Sequence, residues 1–367
     1  MTTVLPAYAP WRTATSALRD GAARFAQLVA TPLVPADYLD LVSPLRSGAE
    51  LRGRIVAVQP ETLNAATVVI KPGRGWRGHV PGQYVRIGVD VEGVRQWRAY
   101  SLTSPAGRPD GCITITVKAM PDGVVSNHLV HEAQPGTIIQ LDQARGEFTL
   151  QDARPDRVLF VTAGSGITPV MGMLRDRGDQ LADVVVIHSA PTQEDVIFGA
   201  ELRWLAATGR IRLIERHTDA DGMLDVAELD ELVPDLASRE IWACGPTGLL
   251  DALEQHVQAA GLAGRLHTER FRPTVLVTGE GGTVTFSGSG TVVQAAGDTP
   301  LLAAGEAAGV LMPSGCRMGI CFGCVVPLRE GAVRDLRTGE LTTAAPGDGV
   351  LIQTCVSSAA GTCDIDL

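Results

Sequence analysis

The sequence predicts a multidomain α+β and α/β chain: an antiparallel β domain, a doubly wound parallel domain and a small mixed domain, in that order. Three changes of pattern along the 367 residues carry this prediction. Short β-rich runs fill 51–150, strands alternate with helix-like stretches over 157–271, and the composition after Pro273 becomes rich in Gly, Thr, Ser and Val. The length leaves room for two or three domains of ordinary size.

The first of these regions consists of short strands with turns between them. Its β-rich runs are GRIVAVQ, AATVVI, YVRIGV, CITITVKA and TIIQL, and turns such as 71-KPGRG-75 separate them. Several strands without intervening helices are typical of a barrel or a sandwich. We place this domain at 48–152.

The second region alternates strands of the buried type with helix-like stretches. The strands are RVLFVTAG, ADVVVIHS, RIRLIER and REIWACG, and TPVMGMLRDRGDQL, EDVIFGAELRWLAATG and LDVAELDELV lie between them. Such alternation predicts a parallel, doubly wound sheet. We place this domain at 153–271, a linker at 272–281 and the last domain at 282–367.

The N-terminal segment 1–47 shows a helical period. Trp11, Leu18 and Phe25 belong to its apolar repeat, and Pro32 and Pro35 end the helix. Such an amphipathic arm either packs on its own protein or meets a membrane or a partner. The chain contains no transmembrane-length apolar run, and its start does not resemble a signal peptide. We therefore expect a soluble, cytoplasmic protein.

The charge of the chain excludes one class of partner. The net charge is −10, whereas nucleic-acid binding needs a basic face. From Pro273 onward there are nine acidic residues and four arginines, a net charge of −5. This acidic last quarter is either a docking face for a basic partner or a solubilising surface.

Four cysteines near the C-terminus have the spacing of a metal site: Cys316-x4-Cys321-x2-Cys324 and, after thirty residues, Cys355. This is the plant-type [2Fe–2S] spacing. A zinc site commonly uses two C-x2-C pairs, and only one is present. A thioredoxin-like pair would leave two of the four unexplained. Glycines at 315, 319 and 323 would let the loop wrap the inorganic sulfides. Arg317 is the lone cation of the loop, and we expect it at a partner contact.

The stretch 98-RAYS-101 joins a cation, an aromatic ring and a hydroxyl near a strand end. One cofactor could use all three, since Arg98 would pair with a phosphate, Tyr100 would lie against a flat ring and Ser101 would bond a ring nitrogen. The alternative is a polar surface without a ligand. The following 123-GVVSNHL-129 resembles a helix start that holds phosphate, with Ser126 in its first turn.

Two further turns follow buried strands. The stretch 162-TAGSGITP-169 has the pattern G-x-G-x-x-P, which suits either a dinucleotide pyrophosphate or a tight strand–helix connection. In 243-ACGPTGLL-250, Cys244 stands at the carboxyl end of a strand, where ligands of open α/β sheets bind. A lone buried cysteine is otherwise a packing residue.

Taken in order, RAYS, GVVSNHL, GSGITP, CGP and the four cysteines resemble the ferredoxin–NADP reductase superfamily with a plant-type ferredoxin domain fused at the C-terminus. The phthalate dioxygenase reductase type has the same order of domains. The resemblance covers about 50–367 and implies a flavin-binding β-barrel, an NAD(P)-binding domain and a β-grasp ferredoxin domain. The segment 31-TPLVPADYLDLVSPL-45 is similar to actinobacterial oxidoreductases that supply electrons to acyl-CoA desaturases.

The resemblance assigns roles to individual residues. Ser101 would lie by the flavin N5, and Cys244 and Glu269 would stand beside the nicotinamide and the isoalloxazine; we predict these three as catalytic residues. The chain continues past Phe271, whereas plant-type reductases end at that aromatic. Predicted cofactor-binding residues are Arg98, Ala99, Tyr100, Ser101, Val117, Lys118, Gly123, Val125, Ser126, Gly164, Gly166, Thr168, Ser189, Arg216, Thr218, Gly245, Pro246 and Phe271. Predicted metal ligands are Cys316, Cys321, Cys324 and Cys355.

The parts predict electron transfer from NAD(P)H through flavin and a [2Fe–2S] cluster to an oxygenase or desaturase, an acyl-CoA desaturase among them. FAD is favoured over FMN by the resemblance. NADPH is favoured over NADH, because no acidic residue directly follows VVVIH while Ser189, Arg216 and Thr218 follow the second and third strands of this domain.

Three alternatives to this function stay open. The first is the reductase component of a ring-hydroxylating dioxygenase or a haem monooxygenase, which would share every motif. The second is a zinc-stabilised adaptor that uses the acidic C-terminal domain. The third is a flavin enzyme that acts on its own small substrate.

Overall fold

The structure is a computed structural model and describes residues 42–46, 50–91, 93–121, 123–150, 155–271, 277–315, 317–319 and 322–367. The predicted N-terminal helix lies almost wholly outside these residues, as do Cys316, Cys321 and the first half of the predicted linker. Within the described ranges, no helix is both long enough and apolar enough to cross a membrane.

The first domain is an antiparallel six-stranded sheet. Its strands are β1 (Arg52–Thr62), β2 (Ala65–Pro72), β3 (Tyr84–Val91), β4 (Val94–Ser101), β5 (Ile113–Lys118) and β6 (Ile138–Leu141), in the order β4-β3-β6-β1-β2-β5. A bridge between Leu102 and Ile115 joins the two edges and closes the barrel. Inward side chains such as Val68, Val85 and Ile87 fill the interior, as the alternation of the strands requires. A short helix α1 (Val124–Asn127) and a π-helical turn (His128–Glu132) follow β5.

The second domain is a parallel five-stranded sheet with helices on both faces. Its strands are β7 (Arg157–Ala163), β8 (Asp183–Ala190), β9 (Arg212–His217), β10 (Glu240–Cys244) and β11 (Leu266–Glu269), in the order β11-β10-β7-β8-β9. Its helices are α2 (Ile167–Arg177), α3 (Gly199–Ala207), α4 (Thr218–Asp221), α5 (Leu229–Leu232) and α6 (Thr247–Ala259). Phe160 and Trp242 pack on one face, whereas Leu159 and Ile241 pack on the other. The predicted doubly wound arrangement is confirmed.

The third domain is a mixed sheet that packs against one helix. Its elements are β12 (Gly282–Phe286), β13 (Thr291–Ala295), α7 (Leu301–Ala307), β14 (Val325–Asp335), β15 (Leu341–Ala344), β16 (Val350–Gln353) and β17 (Ser357–Ile365). The order is β13-β12-β17-β14-β15, with β16 on β14, and only the β12–β17 pair is parallel. Leu301 and Leu302 of α7 join Phe286 in the core.

Helix α2 fastens the nucleotide domain to the barrel. Arg175 donates a hydrogen bond to the Thr103 carbonyl at 2.8 Å, and the Ala106 N–H donates to Asp176 Oδ1 at 2.9 Å. At Gly172, a Cβ would stand 2.4 Å from the Leu102 carbonyl oxygen, so the close approach of helix and barrel needs glycine there. The carboxyl ends of the parallel strands therefore meet the barrel.

Candidate functional site

The RAYS motif occupies the end of β4, where it pairs with β3. Ser101 is 4% exposed, and its Oγ has no hydrogen-bond partner among the described residues. The Arg98 guanidinium donates to the Trp97 carbonyl at 2.8 Å and to Gln96 Oε1 at 3.2 Å. Burial, and then the charge of Arg317, lower the pKa of Arg98, while burial raises the pKa of Tyr100. A half-buried cation and a buried hydroxyl without a hydrogen-bond partner among the described residues fit a flavin, which would supply a phosphate and a ring nitrogen.

The serine of the predicted phosphate turn has a structural task. Ser126 Oγ donates to the Gly123 carbonyl at 3.0 Å and accepts from the Met120 N–H at 3.1 Å. A Cβ at position 123 would lie 2.2 Å from that Oγ, so the turn is built around glycine. Val125 is buried beside it. Since the hydroxyl of Ser126 already shapes the turn, phosphate binding by this residue stays a prediction.

The structure brings the glycine turn and the CGP loop into contact. Gly164–Gly166 forms a 3₁₀ turn that leads into α2, and Thr168 Oγ1 donates back to the Ser165 carbonyl at 2.8 Å. A Cβ at position 166 would stand 2.0 Å from the Cys244 carbonyl oxygen. Gly164, by contrast, is required for its φ of +54° rather than for space. Two motifs more than seventy positions apart thus form one surface at the carboxyl edge of the sheet.

Polar side chains form a continuous row across that edge. Registered neighbours, one on each of the five strands, are Glu269, Cys244, Thr162, His188 and Glu215. Thr162 and His188 were missed by the sequence analysis, although each is the first polar residue after an apolar run. That interruption at the end of a buried strand is the signal that could have found them.

Burial keeps the two predicted groups beside the nicotinamide neutral. Desolvation raises the pKa of Glu269 to about 8, and its enclosed Oε2 has no hydrogen-bond partner among the described residues. Burial, followed by the nearby Glu269 carboxyl, raises the pKa of the Cys244 thiol. At pH 7 the site therefore offers a protonated carboxyl and a thiol, not two anions. Such a pair can hold or donate a proton without repelling the electrons of a reduced ring.

The residues predicted to distinguish NADPH from NADH differ in their hydrogen-bond and ion-pair partners. Ser189 is 6% exposed, and its Oγ has no hydrogen-bond partner in the described part of the chain. Arg216 pairs with Glu228 at 2.8 Å and donates to the Gly222 carbonyl at 3.1 Å. Thr218 is the first residue of α4. The Ser189 hydroxyl could thus bond a 2′-phosphate without losing another partner. Arg216 would attract the phosphate while it stays paired with Glu228.

The remaining predicted residues lie around this edge. Lys118 is the last residue of β5, and β5 contacts the Gly164–Gly166 turn. Val117 is buried in the barrel core, and Ala99 pairs with Arg86 on β3. Phe271 is 37% exposed just after β11. Gly245 packs near Ala163, with Pro246 at the start of α6.

Two of the four predicted cluster ligands are described. Cys324 and Cys355 are buried, and Thr354 ties them together by donating its N–H and its hydroxyl to the Cys324 carbonyl at 3.2 and 3.0 Å. Buried thiols held side by side suit thiolate ligation of iron. Cys316 and Cys321 lie outside the described residues.

Arg317 is not a lone cation in the fold. It forms an ion pair with Glu306 of α7, and its charge acts on Arg98 of the RAYS motif. The cluster loop therefore lies within electrostatic reach of the predicted flavin site. Glu306 already pairs with Arg317, whose side chain is one-third exposed, so a partner contact at this residue stays a prediction.

Comparisons with known proteins agree with this division of the chain. The models of the oxidoreductase FAD-binding domain, the oxidoreductase NAD-binding domain and the 2Fe-2S iron-sulfur cluster binding domain match residues 75–150, 160–255 and 284–360. The predicted cofactors, FAD, a nicotinamide nucleotide and a [2Fe–2S] cluster, are confirmed at this level. The zinc-adaptor alternative is excluded by the same matches.

Whole proteins extend the agreement. The chain is 51% identical over 358 residues to an NADPH oxidoreductase of Mycobacterium tuberculosis, covering 96% of this chain and 92% of that protein. It is 30% identical to the glycine betaine monooxygenase reductase subunit of Chromohalobacter salexigens, covering 75% and 84%. Its fold matches phthalate dioxygenase reductase with a TM-score of 0.59 at 23% identity, over 86% and 97% of the two chains.

Proposed function

This chain belongs to the ferredoxin–NADP reductase superfamily members that carry a C-terminal [2Fe–2S] domain, and from that premise we propose that it carries electrons from NADPH to an oxygenase or a desaturase. It is an NAD(P)H-dependent oxidoreductase with an FAD-binding, an NAD-binding and a 2Fe-2S domain. The observation that carries the proposal is the presence of all three domains in one chain, and the charge of Arg317 in the cluster loop reaches Arg98 of the flavin motif. This proximity supports a path that runs from flavin to cluster.

The chain's own residues would prepare the place where the two rings meet. Ser101 offers a buried hydroxyl to the flavin, and Glu269 and Cys244 stay neutral beside the nicotinamide. Arg98 would hold a flavin phosphate, since its half-buried guanidinium stands beside Ser101 at the end of β4. The bound flavin supplies the ability to accept two electrons at once and pass them on singly. Orientation and exclusion of water are the protein's contribution.

We assign NADPH as the donor. The buried Ser189 hydroxyl has no partner in the described chain, and Arg216 lies one strand away in register with it. The 51% identical relative is named an NADPH oxidoreductase, which supports the same choice. The test is the ratio of kcat/KM for NADPH to that for NADH, which we expect to exceed ten. A ratio below one would overturn the assignment.

An acyl-CoA desaturase is our first candidate for the acceptor, on the similarity of 31–45 to reductases that serve such enzymes. The second candidate is an oxygenase, favoured by the similarity to a glycine betaine monooxygenase reductase subunit. Reconstitution with each purified acceptor separates the two. We expect substrate desaturation to depend on this chain; oxygenation alone would favour the second candidate.

The order of carriers is tested by removing one cluster ligand. Cys321→Ser should lower the rate of cytochrome c reduction by NADPH at least a hundredfold, because electrons can then no longer leave through the cluster. Ferricyanide reduction, which the flavin supports directly, should stay within about twofold. Cys112→Ser is the matched control, since Cys112 lies on the barrel outside the cluster set. Equal loss of both activities in Cys321→Ser would contradict the order.

A further inference from the structure

Thr162 and His188 lie in the middle of the polar row that crosses the five parallel strands. Thr162 is fully buried and His188 is 1% exposed. His188 Nδ1 lies 2.8 Å from Thr162 Oγ1, and that hydroxyl is 3.3 Å from the Ile187 carbonyl. A buried polar pair at the carboxyl edge of a parallel sheet stands where ligands of such sheets bind.

These contacts assign the tautomer of the imidazole. The Thr162 hydroxyl has one hydrogen, and the Ile187 carbonyl can only accept, so the hydroxyl donates to it. Thr162 Oγ1 then accepts from His188 Nδ1–H, which leaves a lone pair on Nε2. Burial first, and then the charges of Lys118 and His217, lower the pKa of His188 to about 4, so the ring is neutral at pH 7.

The second ring nitrogen of His188 belongs to a strand, β8, that contacts the Gly164–Gly166 turn. His188 Nε2 is enclosed and has no hydrogen-bond partner among the described residues. Strand β5, whose last residue is Lys118, contacts the same turn, and the charge of Lys118 reaches His188. A buried acceptor without a donor destabilises the fold, so a cation brought within reach would be held firmly.

We propose that His188 is a positioning residue for the dinucleotide: its Nε2 accepts a hydrogen bond from the Lys118 ammonium and holds that charge over the Gly164–Gly166 turn, where the phosphates bind. Thr162 orients the ring through Nδ1. The inference rests on the proposed binding of NADPH and adds a residue that none of the motifs contains. In this role His188 acts on Lys118 and not on the reacting atoms, so its removal should weaken binding and leave the chemical step unchanged.

Two substitutions of His188 separate this role from simple packing. His188→Asn keeps an N–H donor near the Nδ1 position and removes the acceptor at Nε2. His188→Gln reaches the Nε2 position with its amide oxygen and restores an acceptor there. Both are uncharged and smaller than or similar to histidine, so a packing role predicts similar losses from the two.

The measurement is the dissociation constant of NADP⁺ for the flavin-loaded protein, followed by the change in flavin absorbance. We expect His188→Asn to raise it five- to tenfold and His188→Gln to leave it within twofold, with kcat for ferricyanide unchanged in both. In a Lys118→Met background, His188→Asn should have no further effect, because the lysine it positions is gone. His131→Gln, on the exposed side of the barrel, is the control.

Three results would overturn the inference: unchanged affinity in His188→Asn, equal losses in the Asn and Gln variants, or losses that multiply in the Lys118→Met background. If His188→Asn loses flavin or unfolds, Thr162→Val serves instead. It removes the acceptor for Nδ1–H with little change of volume and should raise the dissociation constant two- to fivefold. Failure of the unmodified protein to bind NADP⁺ would count against the proposed function itself.

Discussion

Two regions of the molecule differ in burial: the predicted nucleotide–flavin junction, at the carboxyl edge of the parallel sheet and the end of β4, and the cluster loop, 315–324. At the junction Ser101, Cys244 and His188 are buried, and their polar atoms are enclosed. In the cluster loop Phe322 is 68% exposed and, like Arg317, has a positive φ, 56° and 60° respectively. A non-glycine residue in that conformation costs on the order of 1 kcal/mol, so the loop holds an aromatic side chain toward solvent at some expense of stability.

The difference follows from what each region would transfer. A hydride moves only between rings in contact and in the absence of water, which requires close packing and neutral side chains. A single electron that leaves for another protein requires a shallow site that a partner can approach. Substitutions at the junction should therefore act by disturbing its packing. Substitutions in the loop should act by changing the surface that a partner protein contacts.

The largest effect is expected from Gly166→Ala. A Cβ there would lie 2.0 Å from the Cys244 carbonyl oxygen, and backbone would have to move. We expect NADP⁺ affinity to fall at least tenfold, measured by titration of the flavin absorbance. Gly178→Ala, just past the far end of α2, is the matched control: nothing stands within 4 Å of its Cβ, and its φ is not positive. Equal losses in the two variants would mean that close packing is not the cause.

Glu269→Gln should change the pH dependence of the junction. The pKa of Glu269 is raised by burial from 4.5 to about 8, so between these values the folded chain holds a proton that the unfolded chain has lost. The free energy of unfolding therefore falls as pH rises from 4.5 to 8. This contribution is on the order of 5 kcal/mol and is fully lost above pH 8.

Denaturant unfolding of Glu269→Gln and of the unmodified protein at pH 5, 7 and 9 tests this sign. We expect the variant to gain stability relative to the unmodified protein as pH rises. In the unmodified protein kcat/KM for NADPH should change near pH 8, and in the variant this change should be absent. Glu340→Gln, on the exposed surface of the third domain, should leave both pH profiles unchanged. Parallel stability curves for Glu269→Gln and the unmodified chain would contradict the account.

The two regions also differ in how far the sequence could predict them. The strands and the cysteine spacing were predictable because hydrophobic alternation and ligand spacing are local properties. The pairing of Thr162 with His188 was not, since it depends on the register of two parallel strands. Likewise, only the packing of α7 could show that Glu306 neutralises Arg317. Ser126 lies in the helix start that was predicted to bind phosphate, but its hydroxyl donates a hydrogen bond to the Gly123 carbonyl of the same turn.

The smallest effect is expected at the exposed loop. Phe322→Asn keeps a residue that tolerates positive φ and removes the apolar side chain, so stability should change by less than about 1 kcal/mol. We expect kcat/KM with the protein acceptor to fall about fivefold while ferricyanide reduction is unchanged. Leu63→Asn, on the barrel and 98% exposed, is the control for loss of an exposed apolar side chain. Unchanged turnover with the acceptor would place docking elsewhere.

The central claim is that electrons enter at the buried junction and leave through the cluster loop. Anaerobic mixing with one equivalent of NADPH, followed by visible absorbance and by electron paramagnetic resonance of frozen samples, tests it most directly. We predict that flavin absorbance falls first and that the signal of a reduced [2Fe–2S] cluster follows from it. Cluster reduction without prior loss of flavin absorbance, or a flavin that is reduced while the cluster stays oxidised, would contradict the claim.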